Sequence, residues 1–111
     1  MKRLINKLLF WKKKDKHQRR KNFPIYSGVI KYFPKALAYV ALVSKLGNDQ
    51  HNPGKPLFWD RSKSKDELDA LMRHLTQAGT LDDDGIYHDA KVAWRALANL
   101  EKLLERDKFN L

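Results

Sequence analysis

No cysteine occurs among the 111 residues of this sequence. Its absence excludes disulfides, thiolate metal sites and a cysteine nucleophile. No apolar run approaches the roughly 20 residues that a membrane-spanning helix needs. The sequence also lacks a P-loop, a GxGxxG fingerprint, a Gly-x-Ser-x-Gly elbow and an HExxH zinc motif, so these signatures cannot explain its function. No segment has the strict alternation of a half-buried strand, which indicates an all-α protein.

Positive charge is abundant instead. The chain has 23 Lys and Arg against 13 Asp and Glu, a net charge of +10, which predicts attraction to polyanions such as nucleic acid, nucleotides or anionic lipid. Much of this charge lies in a basic N-terminal segment, residues 1–22, and we expect one small domain over residues 23–111. The first eleven residues predict a basic amphipathic helix on a membrane surface or on nucleic acid. The alternative is a short helix docked on the domain and followed by a solvated tail.

The remaining sequence predicts a small helical bundle of three main helices. The first runs from about 32 to 46, with Pro34 in its first turn and Gly47 as a left-handed stop. Because this segment is apolar on nearly every side, we expect it to be the buried central helix. The second begins with a capping box of Ser64 and Glu67 and ends at Gly79. The third runs from about 88 to 107.

Apolar spacing indicates which faces of the last two helices form the core. The second helix offers Leu68, Leu71, Met72 and Leu75. The third offers Val92, Ala93, Ala96, Leu97, Leu100, Leu103 and Leu104. The opposite side of the third helix aligns His88, Lys91, Arg95 and Lys102.

The segment 47–66 is longer than the two to eight residues that usually connect helices. It is crowded with amides, acids and bases, and it adjoins the acids of the second helix. Asp66 and Asp69, one helical turn apart, could share a hard cation such as Mg²⁺, assisted by Asp49 or Asp84. The same acids could instead be stabilised by the helix dipole or pair with Arg73.

Three histidines, His51, His74 and His88, could bind a transition metal, position a substrate or move a proton. Their spacing matches no zinc signature. The basic residues could clamp a triphosphate, and Trp59 or Phe58 could stack on a base, although a solvated basic face and a tryptophan in the core explain them as well. The candidate nucleotide-binding residues are Asn52, Lys55, Trp59, Arg61, Lys63, Arg73, Lys91 and Arg95.

Four stretches resemble a known family. They are SGVIKYFPKAL at 27–37, the whole segment 47–66, DALMRH at 69–74, and DGIYH at 84–88 leading to AWRAL at 93–97. Over about residues 24–104 the sequence resembles small phage and bacterial proteins known as dATP/dGTP diphosphohydrolase domains. These look related to the all-α, MazG-like nucleotide pyrophosphatases.

The resemblance implies a metal-dependent hydrolase that splits a purine deoxynucleoside triphosphate into monophosphate and pyrophosphate, with Mg²⁺ (or Mn²⁺) as cofactor. Asp66 and Asp69 look similar to one acidic pair of MazG-like enzymes, but the Glu-Glu-x-x-Glu motif of their first core helix is missing here. Asp49, Asp82 or Asp84 could partly replace it. MazG-like folds commonly need a partner subunit, so the resemblance also implies a homo-oligomer.

Two other functions stay open at this point. One is a non-enzymatic phage protein that binds nucleic acid or membrane through its basic N-terminus. The other is a degenerate domain that binds nucleotide without cleaving it. The expected location is the cytoplasm, that of the host cell if the protein is phage-encoded, with a virion as the alternative.

Overall fold

A computed structural model describes residues 16–111. The predicted amphipathic helix at the start of the chain therefore lies outside the described residues, and the predicted boundary between 1–22 and 23–111 stays a prediction. Over the described part the protein is helical without strands, which confirms the all-α class. None of the described helices is both long and apolar enough to cross a bilayer.

Four α-helices and two short helical turns make up the described chain. They are α1 (Lys16–Arg20), a π-helical turn (Tyr26–Ile30), α2 (Pro34–His51), a 3₁₀ turn (Arg61–Lys63), α3 (Glu67–Leu75) and α4 (His88–Arg106). The three long helices confirm the three predicted ones. The described residues divide into two compact units, one of 16–34 with 102–111 and one of Lys35–Glu101.

The smaller unit is held by α1 and the last residues of the chain. The buried guanidinium of Arg19 donates hydrogen bonds to the main-chain oxygens of Asn110 and Leu111, at 2.8 and 2.9 Å. The rings of Phe23 and Phe109 pack edge to face, with their centroids 5.5 Å apart. One basic residue of the N-terminal segment thus has a structural role in this unit.

Helix α2 differs from its prediction at its end and in its burial. It begins at Pro34 as expected but continues through Gly47 to His51, so the predicted stop at Gly47 is wrong. Asn48, in the last turns of α2, holds the loop that follows the helix: its amide donates to the Lys55 carbonyl and accepts from the Phe58 N–H. Asn48 is the one buried residue of α2. The prediction of a buried central helix is therefore wrong, because a unit this small cannot cover every side of an apolar helix.

The start of α3 also differs in detail. Its N-cap is Asp66, whose side chain makes no capping bond, so the predicted capping box is wrong. The Ser64 hydroxyl instead donates to the buried Glu67 carboxylate. The helix ends at Leu75, and Gly79 follows in the left-handed region at φ +83°.

The inner faces of α3 and α4 differ from the prediction in part. The predicted core residues that are half-buried are Leu71, Val92, Ala93, Leu103 and Leu104. Leu68, Met72 and Leu75 are 59, 55 and 45% exposed, whereas Glu67 and Ala70 are buried. On α4, Ala96, Leu97 and Leu100 are exposed, whereas His88 is buried and Lys91 and Arg95 are half-buried. The predicted core positions of these residues are therefore wrong. Polar groups that satisfy one another, together with the small buried Ala70, Ala90 and Ala98, line the inside in their place.

Candidate functional site

The loop 80–88 presents two polar side chains at the start of α4. Leu81 and Tyr87 form an antiparallel bridge, and the Asp82 N–H donates to the Ile86 carbonyl at 2.8 Å. Gly85 closes the turn at φ +79°, a conformation that glycine adopts without strain. Ile86 is 3% exposed and anchors the loop. Asp82 and His88 are thereby held on the same side of a tight turn.

Helix α3 supplies the third side chain. Glu67, Ala70 and His74 fall at positions i, i+3 and i+7 and share one helical face. The first two are buried, so the same face turns His74 inward. Its Nδ1 atom lies 2.8 Å from Nδ1 of His88, whose residue is 4% exposed. Candidate ligand atoms of His74, Asp82 and His88 all lie within 4.8 Å of one another; we call these three residues the His–Asp–His cluster.

The two imidazoles hold one proton between their facing nitrogens. At 2.8 Å one Nδ1 donates a hydrogen bond and the other accepts it. A proton on the accepting nitrogen would place two N–H groups against each other with no acceptor between them. Burial, then the positive charges of Lys91 and His88, lower the pKa of His74 below its ordinary 6.5. His74 is therefore neutral near neutral pH.

Lys91 supplies the positive charge beside this cluster. Its Nζ lies 2.6 Å from Oδ2 of Asp82 and 2.7 Å from Oδ2 of Asp84. The other oxygen of Asp82 accepts the Asp83 N–H at 2.7 Å. The hydrogen bond from Lys91, with that N–H, lowers the pKa of Asp82 to about 2. Although burial opposes it, bonding to both carboxylates raises the pKa of Lys91. Asp82 and Lys91 are thus charged at neutral pH.

One turn along α4, Arg95 forms a second polar group with the start of α3. Arg95 Nη1 lies 3.6 Å from Asp66 Oδ1 and 3.3 Å from the Ser64 hydroxyl. Arg73 Nη2 lies 3.3 Å from Asp66 Oδ2. The bond from Arg73, followed by the charge of Arg95, lowers the pKa of Asp66. A single carboxylate therefore faces two guanidinium groups, an arrangement that an incoming phosphate could enter.

The cluster fits a divalent cation. Two imidazole nitrogens and one carboxylate oxygen are a usual donor set, and three protein ligands leave coordination positions for water or substrate. Two nitrogens bound to one tetrahedral ion are separated by roughly 3.3 Å, so the 2.8 Å pair needs only a small opening. The donor set, judged by its chemistry, fits a metal of a hydrolase.

The structure brings several of the predicted site residues together and leaves others apart. His74, His88, Asp84 and Lys91 meet at the cluster, and Asp66, Arg73 and Arg95 meet beside it. Asp69 is exposed on α3. These positions do not test the predicted roles, which stay predictions.

The predicted residues of the 47–66 segment lie in other surroundings. Asp49 pairs with Lys45 at 2.5 Å within α2. His51 ends α2 and is exposed, as is Lys63. The Lys55 N–H donates to the carbonyl of Asn52.

Trp59 packs edge-on against Trp94, with ring centroids 5.6 Å apart. Arg61 lies 4.2 Å over the Trp59 ring. These contacts support the alternative interpretation of Trp59, in which the side chain packs inside the protein.

Sequence reasoning missed Asp82 as a principal site residue and did not place Glu67 and His74 on the inner face of α3. A signal for Asp82 was present: an acid and a histidine six residues apart flank a glycine turn, and a tight turn brings such ends together. The inward polar face of α3 had no such signal, because its periodicity is that of an ordinary amphipathic helix.

Comparison with known families and proteins completes the description. The family model described as dATP/dGTP diphosphohydrolase, N-terminal, matches residues 12–110. No curated protein and no solved structure matched the chain. The family match covers nearly the whole chain and confirms the resemblance read from its motifs: the chain belongs to the dATP/dGTP diphosphohydrolase N-terminal family.

Proposed function

We propose that this protein hydrolyses dATP and dGTP to the deoxynucleoside monophosphate and pyrophosphate, with the help of a divalent metal. The observation that carries the proposal is the His–Asp–His cluster flanked by Lys91 and Arg95 in a chain of this hydrolase family. In the reaction water adds to the α-phosphorus, the bond to the bridging oxygen breaks, and pyrophosphate leaves. A divalent cation, when bound, would polarise the phosphoryl group.

The residues of the chain would bind the phosphates. Arg73 and Arg95 both face Asp66, and a triphosphate would replace that carboxylate because guanidinium forks match phosphate oxygens. Lys91 would offset the charge of the leaving pyrophosphate. Because His74 and His88 would serve as ligands when the ion is bound, the proton that water loses would pass to the surrounding solvent.

We also propose that the protein works as a homo-oligomer. The outward apolar residues of α3 and α4, among them Leu68, Met72 and Leu97, support this proposal. Side chains of this size are usually covered in a stable protein when they lie side by side. A second copy with the same apolar faces would cover them and leave the polar interior unchanged.

Turnover assays test the enzymatic proposal. Purified protein should release pyrophosphate from dGTP and dATP in the presence of Mn²⁺ or Mg²⁺. Asp82→Asn should lower kcat at least a hundredfold, whereas the neighbouring Asp83→Asn, with the same change of charge at an exposed side chain, should keep wild-type activity. Absence of product from the wild-type protein, or full activity in Asp82→Asn, would contradict the proposal.

A thermal-shift measurement separates the enzyme from a degenerate nucleotide-binding domain. Binding of a ligand to the folded state raises the melting temperature. A rise with dGTP without release of pyrophosphate would favour the degenerate domain. A rise accompanied by product supports the enzyme.

A further inference from the structure

We infer that His74, Asp82 and His88 are the three protein ligands of a site for a transition-series divalent cation, such as Mn²⁺, Co²⁺ or Zn²⁺, in preference to Mg²⁺. The inference deepens the proposed function, since it names the metal site on which that function rests. It makes its own prediction, however, because metal binding can be measured without any nucleotide.

The distances within the cluster suit one small ion. The His74 and His88 Nδ1 atoms are 2.8 Å apart, and Asp82 Oδ2 lies 3.9 Å from His88 Nδ1. An ion about 2.1 Å from each ligand requires separations of roughly 3.3 Å. The first distance must therefore open by about half an ångström and the second must close by about the same amount. The ligand atoms of His74 and Asp82 lie within 4.8 Å of each other.

The backbone already fixes two of the three ligands. Asp82 and His88 are tied across the 80–88 turn by main-chain hydrogen bonds, including the His88 N–H to the Thr80 carbonyl at 3.0 Å. The carboxylate of Asp82 is oriented by the Asp83 N–H. Such support of ligands by neighbouring hydrogen bonds is typical of metal sites.

The donor atoms select the class of ion. Mg²⁺ prefers oxygen ligands and gives up its water reluctantly. Imidazole nitrogens suit the transition ions, whose affinities rise from Mn²⁺ towards Zn²⁺ and Cu²⁺. Two nitrogens among three ligands therefore disfavour Mg²⁺ at this position, in contrast to an all-carboxylate site built on Asp66 and Asp69.

Lys91 offers a direct test of the site. Its ammonium lies 2.6 Å from Asp82 Oδ2, the oxygen of Asp82 that faces His88. An ion bound at the cluster and the ammonium of Lys91 repel each other and compete for this oxygen. Replacement of Lys91 by a neutral residue should therefore strengthen ion binding, whereas a change that only loosens the fold would weaken it.

Calorimetric titration of the full-length protein with the metal salts alone tests the site. After treatment with a chelator, the wild-type protein should bind one Zn²⁺, Co²⁺ or Mn²⁺ per chain, each more tightly than Mg²⁺. Asp82→Asn and His88→Gln should each weaken Zn²⁺ binding at least tenfold, whereas Asp83→Asn should leave it unchanged. Lys91→Met should tighten it severalfold. Circular dichroism checks that each variant remains folded, and Co²⁺ absorption reports whether nitrogen ligands are bound.

Three results would overturn the inference directly, and a fourth would count against it. They are the absence of ion binding, tighter binding of Mg²⁺ than of Mn²⁺, and Zn²⁺ binding that Asp82→Asn and His88→Gln leave unchanged, which would indicate an adventitious ion only. The loss of binding in every variant including Asp83→Asn would also count against it, as a general effect on folding. If the wild-type protein binds the ion but hydrolyses no nucleotide, the proposed function fails while the metal site stands. If turnover persists without an ion at the cluster, the metal site fails while the function stands.

Discussion

Lys91 Nζ lies 2.6 Å from Asp82 Oδ2, and this contact joins α4 to the loop that precedes it. The side chains are 18 and 25% exposed, so the pair is shielded from water more than an ordinary surface ion pair. It holds the pKa of Asp82 at about 2, below the ordinary 3.8. The pair therefore connects the stability of the fold to the charge of the candidate site.

The acid stability of the protein should depend on this pair. Because the folded-state pKa of Asp82 is lowered, its contribution to the free energy of unfolding is complete above pH 3.8 and is lost as the pH falls towards 2. Partial exposure limits the contribution to about 1 kcal/mol. Between pH 6 and pH 2.5, urea unfolding should show a larger loss of stability in the wild-type protein than in Lys91→Met. Equal losses in the two proteins would contradict this, and Lys91→Arg serves as the charge-preserving control.

A second prediction concerns the contact between α2 and α4. The Trp94 indole donates a hydrogen bond to the Ser44 hydroxyl at 2.8 Å, and both residues are half-buried. Ser44→Ala would leave the indole N–H without this acceptor and should lower the free energy of unfolding by about 1–2 kcal/mol. In Trp94→Phe the donor is already gone, so adding Ser44→Ala should cost clearly less. An equal cost of Ser44→Ala in both backgrounds, measured by urea unfolding, would show that the hydrogen bond contributes nothing.

The helical class and the positions of α3 and α4 could be predicted because their signals are local. Pro34 at the start of α2 and the apolar spacing of α3 and α4 are properties of a few neighbouring residues. The end of α2 could not be predicted, since a glycine permits a helix to stop without requiring it. Asn48, which lies beyond Gly47, bonds to Lys55 and Phe58, contacts that no local pattern reveals.

The periodicity of apolar residues could not predict how the helices are oriented, and therefore could not predict the site. The usual rule places the apolar face inward, but it takes no account of polar side chains that satisfy one another inside. Glu67 with Ser64 and His74 with His88 are such pairs. His74 and His88 meet only when α3 and α4 come together, so the sequence suggested both as candidates without indicating that they are partners.

The outward apolar face of α3 should mediate self-association. Leu68 is 59% exposed, and a charge at this position would be buried without a partner in an interface between copies. The wild-type protein should elute as a homo-oligomer in size-exclusion chromatography with light scattering, and Leu68→Glu should shift it to the monomer. Gln77→Glu, which adds the same charge at an exposed position after α3, should leave the oligomer intact. A monomeric wild-type protein would contradict the prediction.

The last prediction separates substrate binding from stability at Arg73. The Arg73–Asp66 pair has side chains that are 64 and 52% exposed, and exposed pairs contribute little to stability. Arg73→Met should therefore change the melting temperature little while raising the KM for dGTP severalfold, because one of the two guanidinium groups facing Asp66 would be lost to the phosphates. Lys45→Met is the matched control, since Lys45 forms a similarly exposed pair with Asp49 on α2, and its KM should equal that of the wild-type protein. If KM increased as much for Lys45→Met as for Arg73→Met, this would indicate that the phosphates bind near the end of α2 and not at Asp66. If KM were unchanged in both variants, Arg73 would not bind the substrate. Arg95 would then be the remaining candidate beside Asp66.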